Sequence, residues 1–317
     1  MFFFHNSSLV FHIREFRYIF IAEHGDEHWF LIGRPHLGRM MSTLSPIICK
    51  DYTLRFEKTL IMGILNVTPD SFSDGGLFND VDTAVAHGKK MVSDGADVID
   101  VGGESSRPGS ASLSEKEELA RIFPVVTRLL HEVSVPISID TYKPLVADVC
   151  LKAGAHLIND ITGLTDPEMR KVAVKHNVPV ILMHMRGTPK TMQQNPVYQD
   201  MIGEIKVFFQ EQIATARKAG IQHIVIDPGI GFGKTVEHNL QILKHLGEFK
   251  TLSCPIIVGP SRKSFIGVLT GLSVKERLEG TLAAITVAVM NGANMVRVHD
   301  VNECKRAIQV VDAIRGV

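Results

Sequence analysis

The feature that most restricts the fold is a repeat of short apolar runs. Eight of them, Leu60–Leu65, Val98–Val101, Pro136–Ile139, His156–Ile158, Val180–Met183, Ile224–Ile226, Pro255–Val258 and Met295–Val298, begin about 34 residues apart on average, close to the length of one βα unit. Each is too continuously apolar for a strand with one wet face, so both faces must be covered, as in a parallel sheet. Segments of helical period stand between the runs. "DVDTAVAHGKKMVSDGA" is expected to start at Asp80 and stop at Gly95, and "SEKEELARIFPVVTRLLHEV" opens with Ser114 and Glu117 as a capping box. Eight such units in about 250 residues predict the α/β class and a single (β/α)8 TIM barrel, with an open doubly wound sheet as the alternative. No Gly- or Ser-rich linker interrupts residues 46–317, which are therefore expected to form one domain.

Charge and cysteine usage remove several function classes. The 34 Lys and Arg balance the 34 Asp and Glu and form no basic run, so nucleic acid is not an expected partner. Cys49, Cys150, Cys254 and Cys304 are scattered without C-x-x-C spacing, which fits a reducing compartment, the cytoplasm, and neither a disulfide framework nor a zinc site. Residues 1–45 differ in composition, with Phe2, Phe3, Phe4, Phe11, Phe16, Tyr18, Phe20, Trp29 and Phe30 crowded near the start. Asn6, His12, Arg14, Glu15 and Arg17 interrupt that stretch, so neither a signal peptide nor a membrane span is expected. Met40-Met41 offers an internal start, and the extension is expected to be poorly ordered or an artefact of start assignment. His24 and His28 sit in "HGDEH", which lacks the H-E-x-x-H order and contains a helix-weakening Gly25. It is read as no metal site.

In a barrel of this kind reactive groups follow the strands. Here the runs are followed in turn by Asn66, Gly102-Gly103-Glu104, Asp140, Asn159-Asp160, His184, Asp227 and Ser261-Arg262-Lys263-Ser264, while the last run carries Arg297 and leads to His299. Helix capping accounts for any one Asp, Asn or Ser. It does not account for Arg297 and His299, which at i, i+2 share one strand face. Gathering Asp140, Asn159, Asp227 and Lys263 in one enclosed space would be unfavourable without a polar ligand, since each unpaired buried polar group costs about 1–3 kcal/mol. The carboxylates and amide match a flat heterocycle with N–H donors and carbonyl acceptors, and Arg and His match phosphate oxygens. "DPGIGFGKT" ends like a P-loop, but Pro228 stands where that pattern needs Gly. Its glycines instead suit a tight turn lying close to a flat ligand.

"GILNVTPDSFSDGG" (63–76) and "DVGGESSRPG" (100–109), followed in order by "SIDTYKP", "LINDITG", "IDPGIGFGK", "GPSRKSFIG" and "VRVHD", closely resemble the signature stretches of the dihydropteroate synthase family, across about residues 58–317. The resemblance implies condensation of 7,8-dihydropterin-6-ylmethyl diphosphate with 4-aminobenzoate, giving 7,8-dihydropteroate and diphosphate. It implies that Asp140, Asn159, Met183, Asp227, Phe232 and Lys263 hold the pterin, that Ser106, Arg297 and His299 contact the same substrate with the latter two on its diphosphate, and that Mg2+ sits at Asn66. Phe72, Ser106, Arg107, Pro108, Lys263 and Ser264 would form the aminobenzoate pocket. Asp70, Asp140, Asp227, Lys263 and Arg297 would act in catalysis. Ser106 stands where the family commonly has Thr, which keeps the hydroxyl and loses a methyl. The resemblance also implies a homodimer.

Two rivals share the barrel. A pterin-dependent methyltransferase using methyltetrahydrofolate would have a similar pocket but no use for "TPDSFSDGG" and "ESSRPG". A catalytically silent pterin-binding scaffold would be expected to have lost Lys263 or Arg297, and both are present.

Overall fold

The computed structural model describes the backbone of residues 9–13, 16–23, 26–33, 44–68, 77–105 and 112–316, with side chains described from residue 44 onward except those of residues 77–80. The chain divides into two compact units, Met1–Thr43 and Leu44–Arg315. In the first, strands β1 (Leu9–Ile13), β2 (Phe16–Glu23) and β3 (Asp26–Gly33) form an antiparallel sheet in the order β1-β2-β3. Their aromatic and β-branched content suits extended backbone.

The second unit opens with a short hairpin, β4 (Ile47–Cys49) and β5 (Tyr52–Leu54). Ile47, Cys49, Leu54 and Phe56 pack with Leu60, Met62, Val98, Leu157, Ile181, Val225, Ile257 and Met295 in one apolar cluster. Most of those partners lie at or near the starts of the barrel strands, so the hairpin plugs the end opposite the strand C-termini. His156 helps seat it: its Nδ1 accepts a hydrogen bond from the Ile137 amide at 3.0 Å and its ring meets the edge of Tyr52. Burial, reinforced by Lys50, pushes the His156 pKa down to about 4. A depressed histidine stabilises the fold above its unfolded pKa near 6.5, and that contribution is lost as pH falls towards 4. His156→Gln, which keeps an acceptor but does not titrate, should therefore remove about 2 kcal/mol of the stability change between pH 7 and pH 5. Urea unfolding of both proteins at the two pH values checks this, and parallel pH dependences would refute it.

The barrel strands are β6 (Leu60–Asn66), β7 (Val98–Gly102), β8 (Ile137–Asp140), β9 (Leu157–Asp160), β10 (Val180–Met183), β11 (Ile224–Asp227), β12 (Ile257–Val258) and β13 (Met295–Val298). All pair in parallel, in the order β11-β10-β9-β8-β7-β6-β13-β12. A parallel bridge between Ile226 and Ile256, with the Ile226 amide donating to the Pro255 carbonyl at 2.9 Å, joins β11 to β12. That closes the ring and settles the choice against an open sheet.

Helices α1 (Leu77–Ser93), α2 (Glu115–Glu132), α3 (Pro144–Ala153), α4 (Pro167–His176), α5 (Met201–Ala219), α6 (Val236–Lys244), α7 (Ser264–Thr270), α8 (Leu278–Met290) and α9 (Val301–Arg315) follow the strands, with α7 and α8 both between β12 and β13. Their apolar stripes, such as Ile122, Val125, Val126 and Leu129 of α2, are wholly buried against the outward-facing strand residues, each worth about 1.5–3 kcal/mol. The expected capping box of α2 is present on Ser114 and Glu117. Among the described residues no helix is long and apolar enough to cross a membrane.

The structure adjusts the ends of several elements. Helix α1 begins at Leu77, ahead of Asp80, because no helix breaker separates them. The runs expected to begin at Pro136, His156 and Pro255 become strands only from Ile137, Leu157 and Ile257, with an isolated bridge at Ile256 ahead of the last; neither proline has an N–H to give to the ladder. Asn66, Asp140, Asn159-Asp160 and Asp227 are also not loop residues after the strands but their last paired rungs. That difference matters, because a side chain on a strand is aimed more rigidly than one on a loop.

Candidate active site at the strand C-termini

Arg297 organises the mouth of the barrel. From β13 its Nε donates to Asp100 Oδ2 of β7 and its Nη2 to Asp140 Oδ2 of β8, both at 2.6 Å. Asn159 Nδ2 of β9 donates to the same Asp100 oxygen at 2.9 Å. Burial works against the Arg297 charge, but Asp100 and Asp140 outweigh it and hold the guanidinium protonated. Asp140 feels the opposite balance: burial, together with Asp100 and Glu118 nearby, lifts its carboxyl to about 7 against the pull of Arg297 and Lys263. Asp100 is wholly buried, and its Oδ1 has no hydrogen-bond partner.

The remaining wall is built by the β11 turn. Buried Asp227 accepts the Gly229 amide on Oδ1 at 2.7 Å. Burial raises its pKa, countered by that bond, Lys263 and Arg297. Lys263 Nζ lies 4.1 Å from the centroid of the Phe232 ring, a cation on an aromatic face. Phe232 and Met183 pack with Ile161 and Met192 in a small apolar cluster. Acidic and amide edges thus meet an apolar face with a cation above it, which suits a flat, polar-edged heterocycle.

The turn is held from behind by Lys234, which is almost completely buried and donates to His184 Nδ1 at 2.9 Å, the His184 carbonyl at 3.2 Å and the Phe232 carbonyl at 2.9 Å. Three acceptors match the three hydrogens of an ammonium, although burial draws the Lys234 pKa down to about 7. Gly229, Gly231 and Gly233 all take positive φ there.

On the other side of Arg297, Ser261 Oγ and His299 Nδ1 are 3.0 Å apart, and Arg262 grips Asp300 with Nε at 2.9 Å and Nη2 at 2.5 Å. Burial, with Arg297 and Arg262 beside it, pushes His299 down to about 4. Ser264 is exposed at the start of α7, and half-buried Asn66 ends β6 beside Gly102, whose other neighbour in the sheet is Asp140. Asp70, Phe72, Ser106, Arg107 and Pro108 lie outside the described residues.

The structure therefore brings Asp140, Asn159, Asp227, Lys263, Phe232, Met183, Arg297 and His299 to one end of the barrel. It adds residues not singled out from sequence. Asp100 could have been found as the one charge inside the apolar strand "VIDVG". Lys234 belongs to "DPGIGFGKT", where the failed P-loop match gives it no role. Lys143, which bridges Glu104 and Glu118 while Glu104 also accepts the Tyr142 hydroxyl and the Leu113 amide, carries no sequence signal beyond its type.

Comparison with known proteins decides the family. The description "Pterin binding enzyme" fits residues 62–299. Dihydropteroate synthases of Synechocystis sp. and Escherichia coli K12 are each 50% identical, over 81% and 80% of this chain and 91% and 90% of their own. The chain belongs to the dihydropteroate synthase family. Solved dihydropteroate synthases superpose on it closely: that of Yersinia pestis with a sulfonamide drug at TM-score 0.82 and 46% identity, covering 86% of this chain and all of its own, and that of Xanthomonas albilineans with 7,8-dihydropteroate at TM-score 0.79 and 40% identity, with the same coverage. Every strand-end residue described above, from Asn66 to His299, falls within the stretch matched by the pterin-binding description.

Proposed function

We infer that this member of the dihydropteroate synthase family joins 7,8-dihydropterin-6-ylmethyl diphosphate to 4-aminobenzoate at the barrel mouth, releasing diphosphate. The observation that carries the residue roles is the convergence of Asp140, Asn159, Asp227 and Lys263 beside Arg297. Asp227 and Asn159 would hold the donor edge of the pterin, with its ring between Met183 and Phe232 and Lys263 on its acceptor side. Arg297 and His299 would hold the diphosphate. Breaking the C–O bond first leaves the electron pair on diphosphate and positive charge on the pterin methylene, which the arylamine nitrogen attacks before losing a proton. Asp140 and Asp227 are placed to favour that charge, and Arg297 the departing anion, each an electrostatic contribution of up to several kcal/mol.

Magnesium fits this arrangement at Asn66. Among the described residues no cluster of His, Cys, Asp or Glu could cage a metal, and Mg2+ takes few protein ligands where phosphates and water supply the rest. Asn66 would supply one amide oxygen, and bound Mg2+ would neutralise charge on the leaving group.

Asp70, Phe72, Ser106, Arg107 and Pro108 would complete the aminobenzoate pocket with Lys263 and Ser264. Phe72→Gly is expected to raise the aminobenzoate KM far more than it weakens pterin diphosphate binding. Equal losses in both would remove Phe72 from that pocket. A homodimer is supported by exposed Val268 and Leu269 on α7, Val287 and Met290 on α8, and Val310 and Ile314 on α9, an apolar surface of the kind partners cover. Sedimentation tests it. The four free, buried cysteines support a cytoplasmic location.

The deciding assay is diphosphate release with Mg2+ and both substrates. Release that depends on 4-aminobenzoate is expected. Methyl transfer to cob(I)alamin without release would favour the methyltransferase, and ligand-induced thermal stabilisation without turnover would favour the scaffold.

A further inference from the structure

We propose that Ser261 is a positioning residue that fixes the ring tautomer of His299, so that Nε2 carries the hydrogen and is presented as a donor to the substrate diphosphate. The inference rests on His299 being a diphosphate contact, as proposed above, and adds what makes it an attractive one.

The argument follows the hydrogens. The His299 backbone N–H donates to Ser261 Oγ at 3.2 Å, so that oxygen already accepts one bond. The same oxygen lies 3.0 Å from His299 Nδ1. Ser261 is only 4% exposed, which leaves its hydroxyl hydrogen little access to water. Donating that hydrogen to Nδ1 satisfies both atoms, and Nδ1 must then be bare. The opposite tautomer would aim the ring N–H at the serine oxygen and strand the hydroxyl hydrogen in a buried place, which folded structures avoid.

The tautomer matters because the ring is neutral. Burial disfavours a second proton most, Arg297, Arg262 and Lys263 add to it, and Asp300 opposes them. Asp300 is itself engaged by two bonds from Arg262. A neutral imidazole has one donor and one lone pair. With Nε2–H outward it gives a hydrogen bond to a diphosphate oxygen, whereas with Nδ1–H it would turn its lone pair on the anion.

The backbone supports the same role. Arg262 takes a left-handed φ of 55°, an uncommon conformation for a residue with a side chain. It is held there by its bond from the amide to Thr281 Oγ1 at 3.0 Å and by Arg277 Nη1 donating to its carbonyl at 3.1 Å. Adjacent residues of the β12 turn, Ser261 and Arg262, thus pair with adjacent residues beyond β13, His299 and Asp300. The serine and the imidazole are kept in register by a second, ionic rung.

Histidine 15N spectra of the ligand-free enzyme, with the resonance assigned by its loss in His299→Gln, test the tautomer directly. Nε2 is expected to be the protonated nitrogen. In Ser261→Ala the two tautomers should mix, and the KM for pterin diphosphate should rise about tenfold, equivalent to about 1.4 kcal/mol, with the aminobenzoate KM unchanged. Ser261→Thr, which keeps the hydroxyl, should restore both. A protonated Nδ1 in the unmutated enzyme, or an unchanged spectrum in Ser261→Ala, would overturn the proposal. A shifted tautomer with an unchanged KM would overturn it through its functional half, by removing His299 from the diphosphate rather than Ser261 from His299.

Discussion

Arg297→Met should cost about 3–5 kcal/mol of stability and lower kcat/KM by at least about 10²–10³-fold. The stability loss follows from what remains: Asp100 and Asp140, on the neighbouring strands β7 and β8, would be left without the guanidinium that now donates to both. Methionine fills the space of the side chain stem and supplies no charge. Part of the stability should return in the double variant Arg297→Met with Asp100→Asn, because one of the two buried carboxylates is then neutral. Activity should not return, because the cation opposite the departing diphosphate is still missing. Chemical denaturation and steady-state kinetics on the three proteins separate these effects. A single variant with an unchanged unfolding midpoint would show that the carboxylates do not depend on Arg297, and would undo the electrostatic account of the mouth.

Gly229→Ala should be nearly as damaging, for steric reasons. At φ 73° a side chain is already strained, and a Cβ would stand 2.0 Å from the His184 carbonyl oxygen, a backbone atom that cannot swing away. The turn would have to move, taking with it the amide that donates to Asp227 and loosening the carbonyls that hold Lys234. Overpacking and backbone strain each cost about 1–3 kcal/mol, so a total loss of roughly 2–6 kcal/mol is expected, with a raised KM for pterin diphosphate. Gly271→Ala is the control. It has a similar φ of 74°, yet nothing lies within 4 Å of the added carbon, so it should cost only about 1–2 kcal/mol and leave both KM values alone. Equal stability losses at the two positions would show that φ alone, and not the approach to His184, explains Gly229.

Much of the site could be read before the fold was known, and for a definite reason. Strand ends are local features: "SID", "LIND" and "VID" each place a polar residue where an apolar run stops, and a barrel sends all such ends to one mouth. The boundary errors were equally local. Apolar character extends the runs to Pro136 and Pro255, although neither can donate to a ladder. Asp140 and Asp227 look like loop residues because they are polar, yet a strand's last rung can be polar where it faces the mouth.

Asp100 shows the limit of that reading. Its sequence neighbours mark it only as a charge in an apolar strand, whereas its partners, Arg297 and Asn159, are 197 and 59 residues away. Lys234 is similar, since its nearest acceptor outside its own turn belongs to His184, 50 residues earlier.

The amino-acid order by itself determined the eight βα units, the parallel barrel and the polar set at its mouth, because apolar continuity, helical period and strand ends are properties of neighbouring residues. Which carboxylate pairs with Arg297, which groups share the buried hydrogens of Lys234 and which nitrogen of His299 faces outward were decided only by tertiary structure. Those outcomes depend on the register in which distant strands close around the barrel, and on the burial that makes each unpaired charge or hydrogen expensive.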